Sequence, residues 1–144
     1  MTLDPSLIFR KIMPMLQKTQ NRVIFGGLIG AFGGSSFVLS IYPIAIGLLF
    51  DQLSGNALLF TLSYVIPVTV LWAIAGAICG WLGKMRDGAI VLGLCGATSG
   101  ILMSTAFLGE SSSSAILLGG ALIGLIYGVP AGLLISGALR RPEA

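Results

Sequence analysis

Polar and apolar positions separate along this chain in long blocks rather than alternating. Four uncharged stretches dominate, at 23–50, 57–82, 89–108 and 115–139. Each reaches the roughly 20 residues a helix needs to cross about 30 Å of hydrocarbon. The pattern therefore predicts an all-α integral membrane protein with four transmembrane helices. The connectors 51–56, 83–88 and 109–114 are short enough to make consecutive helices antiparallel neighbours in a compact bundle. Asn56, Asp87 and Ser114 stand at or beside the starts of the later spans, where a short polar side chain can cap free amides.

Residues 1–22 follow a different pattern. Ile8, Phe9, Ile12, Met13, Met15 and Leu16 fall within one arc at about 100° per residue, with Arg10, Lys11, Gln17 and Lys18 opposite and Leu7 out of place. This predicts an amphipathic interfacial helix, started by Asp4 and Pro5 and bent or ended near Pro14. The segment lacks the short apolar core and cleavage site of a signal peptide. The domains are then an N-terminal segment 1–22, a transmembrane domain 23–139 and a tail 140–144.

Composition strengthens the class assignment. Hydrophobic residues make up 56% of the chain and charged residues only 9%, with a mean hydropathy of +1.00, against about 25% charge in a soluble domain. All eight basic and five acidic residues lie outside the four spans. Arg10, Lys11, Lys18 and Arg22 precede the first span, Lys84 and Arg86 separate the second and third, and Arg140 and Arg141 follow the fourth. The other connectors carry only Asp51 and Glu110. The positive-inside rule then places both termini in the cytoplasm, most simply across a prokaryotic inner membrane or its equivalent. This dispersed charge forms no single face for nucleic acid.

Within the spans the strongest pattern is glycine, which lets helix backbones approach closely. Lines at four-residue spacing comprise Gly26, Gly30 and Gly34; Gly76 and Gly80; Gly96 and Gly100, extended by Ser104; and Gly120, Gly124, Gly128 and Gly132, extended by Ser136. They predict glycine-zipper packing between helices of one chain or between this chain and another. Such a line rotates about 40° per step on a helix of 3.6 residues per turn, so the fourth helix is expected to need two partners. Gly27, Gly30 and Gly34 can be set against Gly93, Gly96 and Gly100, and Gly76 and Gly80 against Gly128 and Gly132, which suggests a duplicated hairpin.

Candidate chemistry is sparse. The chain has no histidine, which removes the usual triads and imidazole ligands, and Cys79 and Cys95 make no CxxC pair. Both cysteines read as small packing residues. No metal, cofactor or catalytic residue is expected. Ser35, Ser36, Thr69, Thr98, Ser99 and Tyr127 lie at similar estimated depth and form a possible midplane polar layer, near Trp72 and the intraspan Pro67 and Pro130. Hydroxyls of this kind also bond their own helix backbone without any partner. Pro43 is a third intraspan proline, and Trp81 reads as an interfacial anchor.

An ionisable residue inside the membrane is the usual mark of coupled transport, and the spans contain none. The expected function is a non-enzymatic membrane subunit or assembly factor, partnered by the lipid bilayer and by copies of itself or other membrane proteins. A small oligomeric passive channel using the hydroxyl layer is the alternative. Glycine grooves also admit flat rings or acyl chains, which adds a pigment- or lipid-handling variant.

Overall fold

The computed structural model describes residues 5–50, 56–108 and 114–139, and the described residues are helical apart from short turns. Helix α1 spans Pro5–Ser36, a π-helical turn Phe37–Ile41 leads into α2 (Tyr42–Phe50), and α3 covers Asn56–Leu82. Helices α4 (Met85–Leu108) and α5 (Ser114–Ala138) complete the chain. Among the described residues, four segments are long and apolar enough to cross a membrane: Lys18–Ala45, Leu62–Leu82, Met85–Ala106 and Ser114–Ala138. Their outward positions carry large apolar side chains, among them Phe32, Ile66, Leu94 and Leu134. In hydrocarbon such a surface carries no desolvation penalty, which reverses the rule for a protein in water.

Several local features depart from the sequence expectation. Helix α1 runs unbroken through Pro14 into the first span, so one helix, Pro5–Ser36, crosses the boundary expected at residue 22. The face presented by residues 5–17 lies outside the described side chains. The first span instead breaks at the π-helical turn, where the Tyr42 N–H bonds to the carbonyl of Phe37 five residues back. The reason is Pro43, which has no N–H and whose ring would clash with the carbonyl four residues earlier. Pro67 and Pro130 sit within continuous α3 and α5, on exposed faces.

The connector read as 83–88 shortens to Gly83 and Lys84. Gly83 adopts a positive φ of 65° and its N–H closes on the Cys79 carbonyl at 3.0 Å. This left-handed stop is natural only to glycine, and α4 restarts at once. Asp87 consequently lies in the first turn of α4 instead of capping it, where its charge complements the helix dipole. Asn56 and Ser114 are the first residues of their helices. The rest of connectors 51–56 and 109–114 lies outside the described residues, as does the tail 140–144.

All eleven glycines in the four lines are buried. A Cβ added at Gly26 or Gly30 would overlap the carbonyl oxygens of Gly76 or Trp72 on α3, and one at Gly80 would overlap that of Arg22. On the other side of the molecule, Cβ atoms at Gly96 and Gly100 would overlap the carbonyls of Gly124 and Gly120, and one at Gly132 that of Gly88. In both pairs the partner numbers fall as the helix numbers rise. The α5 line meets α4 along its whole length, and α5 reaches further helices off that line, where Tyr127 meets Trp72 and the Gly33 carbonyl, so the fourth helix has more than one partner although the stripe itself has one.

The two hairpins α1–α3 and α4–α5 use equivalent contacts. A Cβ on Gly30 would stand 3.0 Å from Cα of Gly76, and one on Gly96 would stand 3.2 Å from Cα of Gly128. Likewise Gly30 abuts the carbonyl of Trp72 as Gly96 abuts that of Gly124. The duplicated pattern of glycines thus corresponds to a duplicated packing geometry, with Trp72 in the place of Gly124.

Candidate functional site: an aromatic and hydroxyl junction

The place of Trp72 matters because its side chain points into the space between the hairpins. Trp72, Phe37 and Tyr42 are completely buried. Phe37 sits in the π-helical turn, stacked on Trp72 with ring centroids 5.8 Å apart and on Tyr127 of α5 at 5.6 Å. Trp72 and Tyr127 are tilted at 5.5 Å, and Phe37 and Tyr42 at 5.8 Å. These separations suit offset and tilted aromatic pairs. The π-helical turn makes the cluster, since five-residue bonding brings Phe37 and Tyr42 together where an α-helix would separate them.

Each polar handle on these rings has a partner. The Trp72 indole N–H donates to Ser99 Oγ at 3.0 Å, and Ser99 donates onward to the Cys95 carbonyl at 2.8 Å. Tyr42 and Ser104 lie 2.8 Å apart. Because the Ser104 hydroxyl donates to the Gly100 carbonyl at 2.9 Å, Tyr42 is the donor of that bond. Tyr127 donates a long 3.4 Å bond to the Gly33 carbonyl on α1. A buried amide or hydroxyl without a partner costs about 1–3 kcal/mol, so these bonds fix how the hairpins dock.

The six residues of the expected polar layer do not form one connected layer. Ser35 donates to the Ala31 carbonyl at 2.8 Å, and the Thr69 hydroxyl donates to Ser35 at 3.1 Å within the first hairpin. Ser99 and Tyr127 join the aromatic junction. Thr98 is exposed on the outer surface and bonds its own helix at Leu94, 2.9 Å away. Ser36 is half-buried and takes no part in these bonds. Helical rotation explains the split, because neighbours such as Thr98 and Ser99 point about 100° apart.

Sequence reasoning missed Phe37, Tyr42 and the role of Ser104. Ser104 carried a signal, since it continues the Gly96 and Gly100 line that faces inward. Phe37 and Tyr42 carried one only through Pro43, whose demand for an altered turn gives the pair its spacing. Cys79 and Cys95 are free and buried, and Cys79 Sγ approaches the Gly88 carbonyl at 3.7 Å, next to the tight turn. Among the described residues, no group of His, Cys, Asp or Glu is arranged to hold a metal ion.

No family model, no curated protein and no solved structure matches this chain.

Proposed function

We propose that this chain is a non-enzymatic, multi-pass membrane subunit or assembly factor, built as an antiparallel bundle of glycine-zipped hairpins that packs against other transmembrane helices. The observation that carries this reading is the filled centre. Four rings joined through Phe37 occupy the junction between the hairpins, and their polar atoms are bonded to neighbouring helices. A solute path through the middle of one chain would have to part Trp72 from Tyr127. The glycine lines are consumed inside the chain, so the surface left for a partner is the aliphatic exterior, such as Ile66, Ile74 and Leu134.

The basic residues support an orientation with both termini and the Gly83 turn in the cytoplasm, as in an inner membrane or its equivalent. The test is native mass measurement of the chain extracted from its own membrane in mild detergent. Recovery in a defined assembly, with another membrane protein or with copies of itself, is the expected result. Recovery as a lone chain that conducts a solute in liposomes would overturn the reading and favour a passive facilitator.

A further inference from the structure

The outer surface between α4 and α5 is not smooth. It opens into a cavity of about 600 Å³, walled by Ile90 and Leu94 on one helix and Leu125 and Leu133 on the other, with Arg86 at one end. Gly93 lines it too, and a Cβ there would come within 2.9 Å of Val129 Cγ2 and narrow it. Arg86 is the one charged residue of the lining, and it is exposed.

Length and lining decide what fits. From Arg86 to Leu94 the helix rises about 12 Å, close to the roughly 15 Å depth of one leaflet's hydrocarbon, so an extended apolar chain can lie along the groove. Apart from Arg86 the lining is entirely apolar, which suits an acyl chain. Charge selects the other end of the ligand. The Arg86 guanidinium lies where a span begins, at headgroup depth, and its planar fork matches a phosphate in two-point contact.

We propose that the α4–α5 groove binds one anionic phospholipid, with an acyl chain between the Ile90/Leu94 and Leu125/Leu133 walls and the phosphate on Arg86. This rests on the chain spanning a bilayer and not on its being a subunit of anything. It also distinguishes the two hairpins, because the position equivalent to Arg86 on α1 is the uncharged Gln20.

The full chain in detergent, titrated with phosphatidylglycerol and with phosphatidylcholine of the same acyl chains, tests the proposal by native mass spectrometry. The first phosphatidylglycerol adduct should form about tenfold more tightly than the phosphatidylcholine adduct, as expected for a charge-assisted contact. Arg86→Gln should abolish that preference by weakening phosphatidylglycerol most, with a smaller loss for phosphatidylcholine, which has the same phosphate but a choline ammonium that offsets its charge. Lys84→Gln, which removes the same charge from an exposed neighbour outside the groove, should preserve it. Ile90→Trp, on an exposed wall, should weaken both lipids, and circular dichroism melts check that each variant is folded. Equal binding of the two lipids by the native chain, or equal losses in Arg86→Gln and Lys84→Gln, would overturn the proposal. So would photo-crosslinking from Leu94 that captures a protein helix instead of lipid. Isolation of the chain as a lone species would count against the subunit reading alone and leave the lipid result intact.

Discussion

Trp72 donates its indole N–H to Ser99 at 3.0 Å, and this single bond ties the largest buried side chain of the first hairpin to the backbone-anchored hydroxyl of the second. Because Ser99 already satisfies itself on the Cys95 carbonyl, the two partners are unequal. Ser99→Ala strands a fully buried indole N–H and is expected to destabilise the fold by about 1–2 kcal/mol. Adding Trp72→Phe to Ser99→Ala should cost less than the sum of the two single changes. Denaturant titration in detergent micelles measures both, and strict additivity would show that the bond contributes nothing.

Gly124 and Leu125 are adjacent but face opposite environments. Gly124→Leu drives a side chain into the backbone of Gly96 and should destabilise the α4–α5 pair by about 3 kcal/mol or more. Leu125→Ala, on a partly exposed face, should stay under about 1 kcal/mol. Thermal melts of the two variants compare them directly. Similar mild effects would remove the argument from close backbone approach.

Gly83 is the conformational hinge of the only connector described in full. Gly83→Ala should cost about 1 kcal/mol because an L side chain at a φ of 65° is strained, and Gly83→Asn should recover part of that loss. Melting temperatures of the two variants give the order.

Topology is tested by cysteine-accessibility labelling in intact membranes. Single cysteines placed in 51–56 and 109–114 should label from one side, and those at either terminus or at Lys84 from the other. Native Cys79 and Cys95 should stay unlabelled until the protein is unfolded, since both are buried. Labelling of a terminus from the same side as Glu110 would reverse the assignment.

Reconstituted in liposomes under an imposed pH gradient, the chain is expected to accumulate no solute, because the stretches 23–50, 57–82, 89–108 and 115–139 hold no charged side chain to carry the coupling ion. Any flux should be passive and should change with Ser99 or Tyr127 substitutions. Accumulation that disappears on substitution of Asp51, Asp87 or Glu110 would mean that a loop carboxylate performs coupling.

The spans, their number and the inward bias of the glycines were legible in the sequence because each is a property of one helix taken alone. Length against bilayer thickness, the exclusion of charge and four-residue spacing all act locally. The tertiary structure decided what depends on how helices face one another. Thr98 and Ser99 are neighbours in the chain, yet one points to the exterior and the other receives Trp72, because helix rotation separates them and packing selects which faces inward. The same holds for Phe37 and Tyr42, whose meeting requires the π-helical turn before Pro43. The groove ending at Arg86 likewise needs both helices, since Ile90 and Leu94 wall it from α4 and Leu125 and Leu133 from α5. Close packing is a relation between surfaces, and a sequence specifies each surface without stating which one it will meet.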